Sequence, residues 1–436
     1  MSIASNIKAT GVCEVMVIVK PQALSGISRP RLSASTCPDE ILKHFIRSDV
    51  SRDAELVKVL KAHANPAAAN NGALQPATAT SLGTASTASP LARFYPHLGI
   101  ALGTVDRAGL AALRKEAVVA KVLPAPELRL IKPVATTPKK PAAGYSWGLK
   151  RLGIDTLHAQ GYSGKGVLIG HLDTGVDAGH PALKGAVHSF AEFDALGAIV
   201  EGAPAVDSDR HGTHTAGTIA GREVHGVQFG VAPGAQLASA MVIEGGHVLA
   251  RILAGMNWVV GQQVRVLSMS LGLIGTSDHF LPVTRILRAK GVLPVFAVGN
   301  EGAGSSRYPG NYAEALSVGA IDGDDLVAQF SSSQQFVRKQ DPIVPDIVAP
   351  GVEIVSCVPK GGYEAMSGTS MATPHIAGLA ALLMQAAPDA SIEAIESAIF
   401  RSAQRASGMQ AQRANRGIPD AVLALSILQE GHALAA

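Results

Sequence analysis

The chain is poor in several kinds of residue. Among its 436 residues there are three cysteines, Cys13, Cys37 and Cys357. Three thiols cannot all pair with one another, and their scarcity fits a reducing compartment rather than a disulfide scaffold. Aromatic side chains make up 4% of the chain, so the core has to be aliphatic and rich in alanine. Charged residues are 16%, the net charge is +3, and no basic block occurs. That balance argues against a nucleic-acid-binding protein. No apolar run reaches the roughly 18 residues of a membrane span, so no membrane partner is expected. Met1–Thr10 lacks a basic stretch followed by an apolar one. No signal peptide is read there, and a cytoplasmic location is expected.

The length allows two or three domains. Residues 12–19 read as a strand, Asp53–His63 as a short amphipathic helix, and residues 64–92 as a low-complexity loop. Strand, helix and strand then recur at 98–102, 106–116 and 118–123, which suggests a small α+β domain. Leu130–Gly144 carries Pro133, Pro138 and Pro141 beside Lys139 and Lys140, and prolines favour an extended linker. Beyond Lys165, apolar strands alternate with helices. Strands are expected at 167–172, 236–242, 264–270, 292–298 and 315–320, and helices at 211–220, 247–261, 280–290 and 369–386. The strands are almost continuously apolar, as parallel strands buried on both faces must be. The reading is a three-layer α/β fold.

Three segments carry chemistry. In Gly368-Thr-Ser-Met-Ala-Thr-Pro-His375 a tight turn delivers Ser370 to the start of a long apolar helix. There it meets free backbone N–H groups and the positive end of the helix dipole. A serine in that place also serves as a plain N-cap. Leu172-Asp173-Thr-Gly-Val-Asp177 closes an apolar strand, where open α/β sheets put their ligand sites. Asp173 could equally be a turn former. His211-Gly-Thr-His214 opens a helix. Those two histidines could cap it or bind a metal, but the Glu of the zinc-protease pattern is missing. Taken together, Asp173, His211 and Ser370 supply an anion, a base and a hydroxyl nucleophile. Their order along the chain is one known for that constellation.

The chain resembles the subtilisin-like serine proteases, the subtilases. The likeness rests on residues 173–177, 211–217, 368–374, Ser268-Met-Ser-Leu-Gly272, Ala297-Val-Gly-Asn-Glu-Gly302 and Val348-Ala-Pro-Gly351. It covers about residues 145–430. It implies a subtilisin-like parallel sheet at 145–430, a propeptide-like, ferredoxin-like α+β domain at 1–130, and a linker at 131–144. The implied activity is a serine endopeptidase made as a zymogen, inhibited by its own N-terminal domain and acting on peptides or proteins. The alternatives are a transpeptidase or macrocyclase, and a non-enzymatic pseudoprotease that binds peptides.

The resemblance also assigns residues. Ser370 is the implied nucleophile, His211 the base, Asp173 its support and Asn300 the side-chain donor of an oxyanion hole. Ser270, Leu271, Gly272, Gly245 and Gly246 are the implied edges for an extended substrate. Asp177, His180 and His214 read as structural. Arg307, just before Tyr308-Pro309, falls at the floor of the main specificity pocket, which hints at acidic substrates unless Glu301 pairs with it. Since Glu127 is the one acidic residue between Lys121 and Lys150, self-cleavage after Glu127 is the corresponding expectation. No metal is expected. The family's usual calcium loop, here 221–227, lacks its Asn, and Ala182 stands where an acidic ligand is usual.

Overall fold

The computed structural model describes residues 2–20, 39–46, 92–243 and 248–433. The helix expected at 53–63 and all but the last residue of the loop expected at 64–92 lie outside the described residues; Ala92 begins a strand. The chain divides into two compact units, Met1–Ala125 with Gly245–Ala250, and Pro126–Glu244 with Arg251–Ala436. The first boundary falls closer to the N-terminus than the expected Leu130. The supposed linker is part of the second unit, because its residues bond into that unit's strands, as described below.

In the first unit, β1 (Cys13–Val19), β2 (Ala92–Tyr95), β3 (Ile100–Val105) and β4 (Val119–Pro124) form an antiparallel sheet in the order β2-β3-β1-β4. Strand β1 is central, which is why Val15, Met16 and Val17 are wholly buried and the run is apolar on both faces. Helix α1 (Ile3–Thr10) was not anticipated. Its N-terminus is held by the Ser2 hydroxyl, which accepts from Ser5 N at 3.1 Å. After the short α2 (Asp39–Leu42) comes α3 (Arg107–Leu113), capped by Asp106, which accepts from Gly109 N at 2.7 Å. Ile3, Phe45, Leu110 and Leu113 pack with Val15 and Val17 into one apolar core.

The second unit opens with three short strands, β5 (Arg129–Leu130), β6 (Ala135–Pro138) and β7 (Gly144–Tyr145), and helices α4 (Trp147–Leu152) and α5 (Ile154–Ala159). Its main sheet is built from β8 (Leu168–Asp173), β9 (Val187–Glu192), β11 (Gln236–Met241), β12 (Val266–Met269), β14 (Leu293–Ala297), β16 (Leu316–Ile321) and β19 (Ile347–Pro350). All seven are parallel, in the order β19-β16-β14-β12-β8-β11-β9. Five of these strands stand within two residues of the expected bounds. Helix α6 (His211–Ala220) follows β9, and the small strand β10 (Val227–Gln228) follows α6.

Further along are α7 (Val248–Gly261), β13 (Leu271–Ile274), α8 (Leu281–Ala289), β15 (Arg307–Tyr308) and the ribbon β17 (Gln334–Gln335) and β18 (Ile343–Val344). A hairpin, β20 (Ile354–Val358) and β21 (Gly362–Ser367), leads into α9 (Thr369–Ala386). Residues Thr369–Met384 of α9 are all buried. A helix covered on every side has to be apolar all round, and Ile376–Met384 is. The unit is therefore a three-layer α/β fold around a parallel sheet.

Candidate active site

The site gathers at the carboxyl ends of adjacent strands. Asp173 ends β8, Ser270 follows β12, and Asn300 follows β14. The order in which these strands pair leaves a crevice there. Helix α6 brings His211 to the end of β8 through a close approach of two glycines. A Cβ on Gly212 would lie 2.1 Å from the Gly175 carbonyl oxygen, so only hydrogen fits between the turn and the helix start. Thr174 clasps the same corner, its Oγ1 accepting from Gly212 N at 2.9 Å.

The His211 Nδ1–H donates to Asp173 Oδ1 at 2.6 Å. Both residues are almost fully buried. Asp173 Oδ1 also accepts from Thr174 N at 2.8 Å, and Oδ2 accepts from Thr215 Oγ1 at 3.0 Å. Burial by itself raises a carboxyl pKa, yet the charge of His211 and the hydrogen bonds from His211 and the Thr174 N–H hold Asp173 below the ordinary carboxylate range. Burial likewise pushes His211 down, but the Asp173 carboxylate and its hydrogen bond more than offset that, and His211 stands above an ordinary histidine. The other ring nitrogen of His211, Nε2, is buried and has no hydrogen-bond partner among the described residues.

Ser370 lies in the first turn of α9, where its N–H has no acceptor within the helix by position. Its hydroxyl donates to the Ile131 carbonyl at 2.7 Å. Asn300 is fixed through its side-chain oxygen, which accepts from Thr369 N at 2.9 Å and Thr369 Oγ1 at 2.8 Å. Its Nδ2 donates to the Lys132 carbonyl at 2.9 Å. Ser370 and Asn300 thus bond to successive carbonyls of one chain segment.

That segment crosses the site as an added strand. β5 pairs antiparallel with β13, Leu130 opposite Leu271 and Arg129 opposite Gly272, and Ile131 N donates to Ser270 O at 3.0 Å. Gly272 has to be glycine, since a Cβ there would lie 2.9 Å from Tyr308 O. Beyond the site, Val134 N donates to Ser367 O at 2.8 Å, and β6 pairs antiparallel with β21. Leu128 and Ile131 are buried, whereas Glu127 is exposed. Ile131 and Lys132 face the Ser370 and Asn300 side chains, and Glu127 lies upstream of them. A cavity of about 160 Å³, lined by His211, Pro133, Thr136, Asp209, Arg210 and Met366, opens beside the crossing.

Arg307 sits in β15 against β13, but its charge is taken. Its guanidinium forms an ion pair with Glu301 through Nε, at 2.9 Å, and through Nη2, and Nη1 donates to Gly272 O at 3.1 Å. The hint of acidic substrates required a free guanidinium, and the pairing removes that condition. Gly245 and Gly246 lie outside the described residues.

The structural residues are placed as follows. His214 Nε2 reaches Ile354 O at 2.9 Å, and burial drops its pKa to about 3. Asp177 accepts from Gly179 N and Lys360 N, both in turns. His180 caps the short turn at Pro181–Leu183 and reaches Gly362 O at 3.1 Å. In the loop after α6, the carbonyls of Gly226 and Gln228 accept from Gly144 N at 2.7 Å and Ser146 N at 2.9 Å. The Arg222 guanidinium donates to the carbonyls of Ala220, Pro233, Ala235 and Gly185. Among the described residues, no group of three or more His, Cys, Asp or Glu is arranged to hold a metal.

The sequence reading passed over two residues at the site, His171 and Thr215. The available signal was His171 itself, a lone titratable side chain in an apolar parallel strand two positions before Asp173.

Residues 164–418 match the model of the subtilase family. The chain is 38% identical over 250 residues to subtilisin Savinase of Lederbergia lenta, covering 57% of this chain and 87% of that protein. It is 33% identical over 300 residues to subtilisin E of Bacillus subtilis (strain 168), covering 67% and 72%. It is 37% identical to the subtilisin-like protease PopC of Myxococcus xanthus (strain DK1622) over 300 residues, 61% of each chain. The family match spans more than half of the chain and includes the ends of β8, β12 and β14 and the start of α9, so the chain belongs to the subtilase family and is a serine endopeptidase.

Proposed function

We propose that Ser370 is the nucleophile of this endopeptidase and that its own segment 126–138 occupies the cleft before activation. His211 Nε2 takes the proton of Ser370 as the hydroxyl attacks the scissile carbonyl, then gives it to the leaving amine. Asp173 holds the ring with Nδ1 protonated and stabilises the imidazolium that forms. Asn300 Nδ2 and the Ser370 N–H donate to the oxyanion, aided by the start of α9. Substrate lies antiparallel to Ser270–Gly272, an arrangement that binds through main-chain hydrogen bonds.

One observation carries this reading: a strand of the chain runs between Ser370 and Asn300 with its carbonyls on both. The Ser370 hydroxyl lies on the Ile131 carbonyl oxygen and the Ile131 N–H bonds Ser270 O, so we take Ile131–Lys132 as the bond open to attack. The next bond, Lys132–Pro133, is a tertiary amide. Attack on Ile131 requires the segment to shift so that the Ile131 oxygen, and not the Lys132 oxygen, meets the fixed Asn300 Nδ2. The resting arrangement therefore blocks the site, and this segment acts as an intramolecular inhibitor.

No calcium is assigned to the 221–227 loop. Hard cations need several free oxygens, and here the carbonyls of Gly226 in the loop and Gln228 just after it are bonded to the amides of Gly144 and Ser146.

Mass spectrometry of the purified wild type beside Ser370→Ala tests the proposal. A wild-type N-terminus at Lys132, with Ser370→Ala intact, is expected. Equal processing of both proteins would exclude self-cleavage by Ser370.

A further inference from the structure

His171 is an imidazole inside an apolar strand, and its surroundings are polar in a directed way. It is two residues before Asp173 on β8, so both side chains leave the same face of the sheet, beneath α6. His171 is 1% exposed. Its Nδ1 is 2.9 Å from Ser239 Oγ on β11, and its Nε2 is 2.9 Å from Thr215 Oγ1 on α6. Its Nε2 also lies 3.8 Å from Asp173 Oδ2.

The tautomer follows from counting protons. Thr215 has one hydroxyl proton and two acceptors, Asp173 Oδ2 at 3.0 Å and Gly212 O at 3.1 Å. If His171 Nε2 were bare, Thr215 would have to donate to it, and Asp173 Oδ2 would lose its donor and face a second lone pair. With Nε2 protonated, every group is satisfied. Ser239 donates to Nδ1, Nε2–H donates to Thr215, and Thr215 donates to the carboxylate. The charged groups acting on His171 are Asp173 and Asp207, which favour a cation, and His211, which opposes one. Full burial outweighs the two carboxylates and keeps the ring neutral.

We propose that His171 is a positioning residue for the reaction: the relay Ser239–His171–Thr215 orients and polarises the donor on the far oxygen of Asp173. It acts on His211 through Asp173. Hydrogen bonds in such a chain strengthen one another. A carboxylate that keeps this donor is less basic and holds the His211 proton less tightly. Removing the donor raises the pKa of His211 and leaves the carboxylate free to turn. The relay concerns Asp173 and His211, so it rests on their proposed roles.

The test is steady-state kinetics on the activated enzyme with Thr215→Val, His171→Val, His171→Gln and the His171→Val/Thr215→Val pair. Valine is nearly isosteric with threonine, and glutamine can offer an N–H to Thr215 and an oxygen to Ser239. Thr215→Val should lower kcat by about tenfold, the worth of one hydrogen bond to a charged group. KM should stay unchanged, and the acidic limb of kcat/KM should move to higher pH. His171→Val should do the same to a smaller extent, by about threefold. His171→Gln should restore both kcat and the limb. The double variant should be no worse than Thr215→Val alone, because His171 acts through Thr215.

The proposal is overturned by a His171→Val enzyme with wild-type kcat and acidic limb, by failure of His171→Gln to restore them, or by multiplicative losses in the double variant. If His171→Val does not fold, Ser239→Ala, which frees Nδ1, carries the test with the same readouts. Failure of the underlying roles is distinguishable, since His211→Ala and Asp173→Ala would then retain activity.

Discussion

Asn300 donates through Nδ2 to the Lys132 carbonyl at 2.9 Å, one residue past the carbonyl that accepts from Ser370. An oxyanion donor and a nucleophile engaged on different carbonyls cannot act on either. Loosening this segment should therefore expose the site. Ile131 is wholly buried, and a charge in its place would have to be desolvated to stay. Ile131→Glu in the full chain should speed labelling of Ser370 by a fluorophosphonate probe by about tenfold, the effect of roughly 1.4 kcal/mol on the closed state. An unchanged labelling rate would mean that the segment does not limit access.

Asn300 itself is held by Thr369, through two hydrogen bonds to its side-chain oxygen, so its donor is aimed before substrate arrives. Such preorganised donors are worth most where charge develops. Asn300→Ala should lower kcat by about 10²–10³, the figure known for the same kind of donor in subtilisin, a relative of this chain. KM for a short peptide should hardly move. A loss confined to KM would assign Asn300 to ground-state binding instead.

Arg307 carries the specificity question. Its partner Glu301 is also fixed from behind, accepting from Asn300 N at 3.1 Å and Ser332 Oγ at 3.3 Å. The wild type should show no preference for Asp or Glu on the acyl side of the cut. Glu301→Ala leaves the guanidinium unpaired, and cleavage after Glu should then rise relative to cleavage after Leu by about tenfold, the worth of one charge-assisted hydrogen bond. A panel of peptides differing at that one position measures the ratio. If Glu301→Ala leaves it unmoved, Arg307 does not reach the substrate.

Much of this was legible in the sequence, and the reasons are physical. Parallel strands buried on both faces read as apolar runs, so β8, β11, β12, β14 and β16 could be placed within a residue or two. Glycine-rich turns at their ends marked Asp173, His211, Asn300 and Ser370. What could not be read is what the tertiary fold decides. Helix α1 depends on a serine cap more than on an apolar stripe. Strands β5 and β6 are strands only because β13 and β21 pair with them. By composition the segment is a proline-bearing linker, and nothing local says that it lies in a cleft. The Glu301–Arg307 pair was visible as a possibility, but only the packing of β15 against β13 closes it.

The loop after α6 predicts a stability without calcium. Four carbonyls converge on Arg222, and removing the guanidinium leaves these oxygens short of donors. Arg222→Ala should destabilise the protein by about 1–3 kcal/mol, seen as a lower thermal midpoint. Adding EDTA to the wild type should leave that midpoint where it is. A large fall with EDTA would place a structural calcium in this protein.

The pair Asp173–His211 fixes the dependence on pH. His211 stands above an ordinary histidine because of the Asp173 carboxylate and its hydrogen bond, against the opposing effect of burial. Only neutral His211 can accept the Ser370 proton, so activity falls away as pH drops below this raised pKa and grows as pH rises through it. The acidic limb of kcat/KM should therefore lie above pH 6.5, the ordinary histidine value. Stability moves in the opposite sense. The imidazolium is favoured in the folded protein, so its contribution is complete below the unfolded pKa and is lost as pH climbs through the folded one. Asp173→Asn removes the charge but keeps the shape. It should lower kcat by about four orders of magnitude and bring the acidic limb of the residual activity down, because burial would then act on His211 without its counter-ion. Retention of the limb at its wild-type position would mean that some other group than His211 titrates there.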